Sequence, residues 1–175
     1  MKQINNYITE KFKINSKNVN KYNYFPKDRN ELKELVDKLI KERGNKADLN
    51  DIDTSKITDM NRLFHDLDFN GNISEWNVSK VTDMAHMFGN SKFNGDISNW
   101  NVSNVIYMNF MFAGSKFNGD ISNWDVSNAR LMNGLFWDSE FNQNIDNWRP
   151  PKGFKYNLIF KNCPLEKNPP KWYKG

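Results

Sequence analysis

The sequence predicts an α/β solenoid of about five coils of 24 residues, closed by a helical N-terminal cap and a proline-rich C-terminal cap. Two observations predict it: aromatic and aliphatic residues recur in several registers with one period, and each period holds a strand-like and a helix-like pattern. The recurring positions are Trp76, Trp100, Trp124 and Trp148; Ile73, Ile97, Ile121 and Ile145; Phe69, Phe93, Phe117 and Phe141; and Phe64, Phe88, Phe112, Phe136 and Phe160.

Each repeat contains two local patterns. The I-x-x-W-x-V pattern from Ile73 to Val78 has the spacing of a short strand that follows a bend, as in leucine-rich repeats. The apolar residues from Val81 to Phe88 recur at i, i+3, i+6 and i+7, which predicts a short helix. The Asn-Gly pair at residues 70–71 and its copies are predicted to supply a positive φ for the turn between repeats.

The two ends depart from the repeat and predict a division into three parts. Residues 1–44 are a basic N-terminal cap of short helix, strand and longer helix, residues 45–165 are the repeats, and residues 166–175 are a basic C-terminal cap or tail. The longer helix opens at Asp28 and ends near Gly44. The short helix carries Ile4, Ile8 and Phe12, the strand lies around Tyr24, and Pro169 ends the ladder of strands because proline lacks the amide donor.

Composition excludes several classes of protein. The single cysteine, Cys163, excludes a disulfide framework and a multi-cysteine zinc site. The net charge of +4 divides into an acidic middle (residues 51–148, six Lys/Arg against thirteen Asp/Glu) and two basic ends. No apolar run reaches the ~20 residues of a membrane-spanning helix, and no leader peptide is visible. We therefore expect a cytoplasmic protein, or one on a virion or cell surface if a leader has been removed.

The unit F-N-G-D-I-S-N-W-x-V-S-x-V-x-x-M-x-x-M-F resembles the repeats of the BspA-like leucine-rich-repeat family, a bacterial and phage surface-protein repeat. The resemblance covers about residues 45–165. It implies a right-handed, leucine-rich-repeat-like solenoid that binds proteins or surfaces, and it implies no catalytic residues. Members are typically exported and anchored, so the lack of a leader favours an intracellular or phage-derived role.

Positions that break the repeat pattern are candidates for recognition, since each repeat serves as a control for the others. Thr58-Asp59 and Thr82-Asp83 become Ile106-Tyr107 and then Arg130-Leu131; Arg62 and His86 become Phe110 and then Gly134; His65 and Gly89 become Ala113 and then Trp137. An apolar, aromatic patch beside an arginine is typical of an interface. The first-choice surface for binding a partner is therefore Ile106, Tyr107, Phe110, Arg130, Leu131 and Trp137. Self-association and plain packing are the alternatives.

A second candidate surface is the outward side of the predicted strands. Its residues are Glu75, Asn77, Asn99, Asn101, Asn123, Asp125 and Arg149. Stacked asparagines often only hydrogen-bond to their copies in neighbouring repeats, so a purely structural role is the alternative to ligand binding.

The sequence contains no motif that is typical of an enzyme. His65 and His86 have no partner at metal-ligand spacing, and no phosphate loop or nucleophile elbow occurs, so we expect no metal, cofactor or catalytic residue. Aspartates beside turns, such as Asp96, are expected to accept backbone hydrogen bonds. Six lysines with Trp172 and Tyr173 near the C-terminus favour nucleic acid only through a nucleoprotein partner.

The sequence therefore predicts a non-catalytic protein-binding module, a monomer or weak dimer, that docks on a larger protein through repeats three and four. Two specific roles stay open. One is an intracellular, phage-encoded inhibitor of a bacterial defence enzyme, and the other is a surface or virion adhesion module.

Overall fold

A computed structural model describes residues 21–174. Helix α1 spans Arg29–Arg43, and one turn of 3-10 helix spans Pro164–Glu166. All other described backbone is turn or irregular, apart from six isolated parallel bridges. Four of the bridges form one ladder through Asp59, Asp83, Tyr107, Leu131 and Lys155, each 24 residues from the next. Over residues 21–174, no helix combines the length and apolarity needed to cross a bilayer.

The predicted α/β fold class is therefore wrong. A right-handed, leucine-rich-repeat-like solenoid needs a strand and a helix in each unit, whereas the described repeats contain neither. Residues 73–78, predicted as a strand, make no bridge, and residues 81–88, predicted as a helix, run into consecutive turns over 85–90. The predicted strand near Tyr24 is a single bridge to Ile52. The predicted helix around Ile4, Ile8 and Phe12 lies outside the described residues.

Turns replace the predicted helix because the backbone N–H groups bond to the next repeat. In an α-helix each N–H donates to the carbonyl four residues earlier. Here the His86 N–H donates to the Asn109 carbonyl, and the Phe88 N–H donates to the Met111 carbonyl, both at 2.9 Å. His86 has a φ of 56°, in the left-handed region, which no residue of a right-handed helix adopts. Successive turns space their apolar side chains much as a helix does, so periodicity alone did not separate the two.

Columns of phenylalanine rings form the core between repeats. Phe64, Phe88, Phe112 and Phe136 are fully buried and stack in order, with centroids 5.5, 5.6 and 5.8 Å apart. A second column repeats at 6.2–6.3 Å through Phe69, Phe93, Phe117 and Phe141. Each ring rests on its copy in the next unit, so a single unit has no core of its own.

The recurring tryptophans tie each repeat to the one before it. The Trp100 indole N–H donates to the Ile73 carbonyl at 3.3 Å, and the Trp124 indole donates to Ile97 at 3.1 Å. The same bond is made by Trp76, Trp148 and Trp172. A buried indole N–H needs an acceptor, so the period preserves the donor and the carbonyl together.

The Asn-Gly pairs act differently from the prediction. Gly71, Gly95 and Gly119 have no positive φ. They are small because a Cβ at Gly71 would lie 2.1 Å from the Ala47 carbonyl oxygen. The asparagines form an inter-repeat ladder instead, in which Asn70, Asn94 and Asn118 each accept from the backbone N–H of the next copy at 2.8–2.9 Å.

Helix α1 confirms the helix predicted between Asp28 and Gly44. The Asp28 carboxylate accepts from the N–H groups of residues 30 and 31, and Gly44 ends the helix with a φ of 85°. The side chains that it buries against the core are Leu32, Leu35, Val36 and Leu39. The assignment of residues 1–44, 45–165 and 166–175 to separate parts stays a prediction.

Side chains at both ends replace the backbone partners that a missing repeat would supply. The Asn61 carbonyl corresponds to the Ala85 carbonyl, which accepts the Arg62 N–H, but Asn61 accepts from Nε of Arg29 at 2.7 Å. At the other end the Asn162 N–H has no following repeat and donates to the Glu166 carboxylate at 2.9 Å.

The hydrogen bond from the indole N–H makes substitution of Trp100 more destabilising than substitution of Trp137. We expect Trp100→Phe to lower the free energy of unfolding by about 1–2 kcal/mol, because it removes the bond to Ile73 and part of a buried ring. The matched control, Trp137→Phe, changes an exposed ring, and we expect it to change the free energy of unfolding by less than about 0.5 kcal/mol. Urea unfolding measures both, and equal effects would contradict this account of the repeat.

The N-terminal cap depends on Arg29. Arg29→Ala leaves the Asn61 carbonyl without its charged donor, so we expect a loss of about 1–2 kcal/mol in urea unfolding. Lys27→Ala, on the same side of the helix start but exposed, is the control and should be neutral. A neutral Arg29→Ala variant would show that this carbonyl needs no replacement donor.

The C-terminal cap predicts a pH dependence. The hydrogen bonds from Lys161 and from the Asn162 N–H lower the pKa of Glu166 below its ordinary value of 4.5. A carboxyl group whose pKa is depressed on folding stabilises above its unfolded pKa, and this contribution is lost as pH falls through the folded pKa. We expect thermal unfolding of Glu166→Gln to lose less stability on acidification below pH 4.5 than the native chain does. Parallel curves for the two proteins would exclude this role of the carboxylate.

Candidate functional site

Four of the six first-choice residues lie on or beside the bridge ladder. Tyr107 and Leu131 are bridge partners, as the spacing of 24 predicts. Ile106 and Arg130 precede them, and the Ile106 carbonyl accepts the Arg130 N–H at 2.9 Å. Tyr107 is 41% exposed. The structure therefore brings an apolar pair and an arginine together on one surface.

These substitutions remove a side-chain hydrogen bond that the earlier repeats possess. The Asp59 carboxylate accepts the Asn61 N–H at 2.7 Å, and the Asp83 carboxylate accepts the Ala85 N–H at 2.8 Å. Tyr107 and Leu131 occupy the same position, and neither has a carboxylate that could accept the N–H group two residues later. Repeats three and four thus lack a stabilising bond and present larger apolar side chains in its place.

The other two first-choice residues, Phe110 and Trp137, line a groove of about 450 Å³. It crosses the turn segments of four repeats, and its walls include His65 and His86. The remaining lining residues are Gly89, Asn90, Ala113, Gly114 and Asp138. The groove and the bridge-ladder surface are two adjacent parts of the same repeats, and the groove alone is concave.

The groove exists because the side chain at one position of the repeat differs in size from one repeat to another. Copies of that position are His65, Gly89, Ala113 and Trp137, which is large, small, small and large. The two small residues leave the space, and the two large ones close its ends. Size variation at a single register position is a sequence signal for this groove, and it was available before the structure.

Aromatic rings form a continuous row along the groove. The His65 and His86 rings lie 5.8 Å apart, His86 stacks on Phe110 at 5.0 Å, and Phe110 meets Trp137 edge-on at 6.1 Å. Gly134 permits this row, since a Cβ there would lie 2.3 Å from the Phe110 ring. Sequence analysis placed both histidines at variable positions but considered them only as metal ligands, and therefore missed their part in this row.

The electrostatics beside the groove favour the neutral form of His86 and the ionised form of Asp66. Burial, with Arg62 and His65 nearby, lowers the pKa of His86 below 6.5. A hydrogen bond from Asn90, with His65 close by, lowers the pKa of Asp66 below its ordinary value. The Asp66 carboxylate is engaged on both oxygens, by the Asn90 amide at 3.0 Å and by Nδ1 of His65 at 2.7 Å.

Trp137 differs from every other tryptophan in the chain. The other five donate their indole N–H to a backbone carbonyl. Within residues 21–174 the Trp137 indole has no acceptor, and the residue is 38% exposed. An exposed ring with an unused donor is suited to contact another molecule.

The second-choice residues lie on irregular backbone, since the predicted strands are absent. Asn77, Asn101 and Asp125 accept from the N–H groups of the serines two residues later, at 3.0–3.1 Å, and so close local turns. Glu75 pairs with Lys21 at 2.9 Å, and the Arg149 guanidinium donates to the Trp148 carbonyl. Asn99 and Asn123 are exposed. Asp96 accepts the Ser98 N–H at 2.9 Å, which confirms its predicted role as a backbone acceptor.

Comparison with known proteins gives one family. A model described as "Mycoplasma protein of unknown function, DUF285" matches residues 30–148 and 89–172. No curated protein and no solved structure matches the chain. The match supports the BspA-like resemblance at the coarse level of the repeat family, and it covers both the bridge ladder and the groove. The chain belongs to the family of Mycoplasma proteins of unknown function, DUF285.

Proposed function

We propose that this chain is a non-catalytic protein-binding module. Its binding surface is the bridge-ladder pair Tyr107 and Leu131 together with the groove that holds Phe110 and Trp137. The observation that carries the proposal is that repeats three and four depart from the earlier repeats at these positions, and that Tyr107 and Leu131 lack the carboxylate bond made by Asp59 and Asp83. A protein that departs from its own local rule at adjacent sites is expected to do so for function.

The exposed side chains support this reading. Among residues 21–174, the large hydrophobic side chains that are exposed are Tyr107, Trp137 and Leu158. Two of these three lie on the proposed surface. Tyrosine and tryptophan are enriched in the residues that carry binding energy at protein interfaces, because they bury a large area at low entropic cost.

Finer features of the role are also proposals. We propose that the repeat is the BspA-like bacterial or phage surface-protein type, and that the chain acts without catalysis. The groove is lined by one carboxylate, Asp138, and by aromatic rings, and among its lining residues there is no nucleophile with an adjacent base. We favour a cytoplasmic partner over a surface receptor, and the test below separates the two.

A capture experiment tests the proposed surface. The immobilised native chain is exposed to bacterial lysate and, separately, to intact bacterial cells. The same is done with the double variant Tyr107→Ser/Trp137→Ser. A protein retained by the native chain is then purified and its affinity measured by calorimetry. We expect the double variant to bind at least about tenfold more weakly, since two exposed aromatic anchors are removed.

The matched control is Leu158→Asn. Leu158 is 57% exposed and has a φ of 58°, a conformation that asparagine tolerates. It therefore tests loss of an exposed apolar side chain that does not line the groove, and the affinity of this variant should equal that of the native chain. If the double variant keeps full affinity while unfolding normally, the proposed surface is wrong.

A further inference from the structure

We propose that the groove receives an arginine side chain from a basic partner, with the guanidinium stacked on Trp137 and bonded to Asp138. This rests on the proposed function and adds the chemistry of the partner. The groove offers the two features that such a side chain requires: an exposed aromatic face and a carboxylate oxygen that is not already used.

Asp138 supplies the carboxylate. One of its oxygens, Oδ1, accepts from the Asn162 side-chain amide at 2.7 Å, which orients the group. In the described part of the chain its other oxygen has no partner. Asp66, at the opposite end of the groove, has both oxygens engaged by His65 and Asn90. The acceptor for an incoming cation is therefore at the Trp137 end.

The aromatic residues supply the flat surface. Trp137 meets Phe110 edge-on, with an angle of 64° between the rings, so the two planes form a corner rather than a stack. A planar guanidinium lies against one ring and points its N–H groups along the plane, which suits arginine better than the compact ammonium of lysine. Ala113, on the groove wall, has only a methyl side chain and leaves room for its methylene groups.

The surrounding charges favour a cation at this place. Lys161 follows Trp137 by one repeat, but its ammonium group is held by the Glu166 carboxylate at 2.9 Å. Arg62 acts on His86, at the other end of the groove. Residues 51–148, which include the groove, are acidic, with thirteen Asp/Glu against six Lys/Arg. A basic partner is therefore attracted at long range and bound at short range.

An NMR titration of the full chain tests the proposal without knowledge of the partner. The probes are N-acetyl-arginine amide and N-acetyl-citrulline amide, which has nearly the same shape but no charge. We expect the Trp137 indole N–H and the Gly114 amide to shift and saturate with the arginine probe. The citrulline probe should bind about tenfold more weakly, because it lacks the charge-assisted bond and the cation–π contact.

Two variants separate the contributions. Asp138→Asn keeps the shape of the groove and is expected to reduce the preference for arginine over citrulline to what the cation–π contact alone gives, whereas the control Asp96→Asn, outside the groove, retains the full preference. Trp137→Ala is expected to abolish saturable binding of both probes. Equal affinity for the two probes in the native chain, or no shift at Trp137 and Gly114, would overturn the proposal.

The two proposals fail in different ways. If capture of a protein depends on Tyr107 and Trp137 but the arginine probe does not bind, the surface is correct and the cation is wrong. If the arginine probe binds with the expected preference but no captured protein depends on these residues, the groove chemistry stands and the module is not a protein binder.

Discussion

The hydrogen bond from one repeat to the next, offset by 23 residues, is the constraint on which the structure depends. Because the N–H groups of His86 and Phe88 donate to the following repeat, neither can close a helix within its own segment. Every repeat therefore needs a neighbour on each side. The ends of the array carry orphan groups, and a side chain from outside the repeats, Arg29 or Glu166, takes the place of the missing backbone. The phenylalanine columns and indole bonds follow from the same alignment.

This constraint also frees some positions for recognition. Backbone bonds to both neighbours hold the turn segment, so a left-handed residue there need not be glycine. Copies of one such position are Arg62, His86, Phe110, Gly134 and Leu158, all with φ between 52° and 58°. A non-glycine residue in this conformation costs about 1–2 kcal/mol, and the flanking inter-repeat bonds offset it. The identity of the side chain is then open to selection for binding.

The 24-residue period was sufficient to predict which residues are buried and which are neighbours. It was not sufficient to predict the backbone conformation of each repeat. The register, the buried phenylalanines, helix α1 and the proximity of Tyr107 to Leu131 all follow from counting by 24. The strand and helix did not follow, because successive turns bury apolar residues at similar intervals. The positive φ at His86 and Phe110 could not be predicted from the sequence, because these residue types do not usually adopt a left-handed conformation. The pairing of Phe110 with Trp137 was accessible from spacing, whereas the part that His65 and His86 play in the groove required the ring geometry.

The groove shows why departures from a repeat are stronger evidence than exposure alone. Trp137 replaces an alanine or a glycine of the preceding repeats, and Gly134 replaces the large side chains that come before it. The two changes are complementary, since the Phe110 ring occupies the space that a side chain at position 134 would fill, and Trp137 meets the edge of that ring. Neither change stabilises the repeat by itself, because one removes packing and the other exposes an aromatic ring. Their combination creates a corner with a carboxylate beside it, and under the proposed function another molecule occupies this corner.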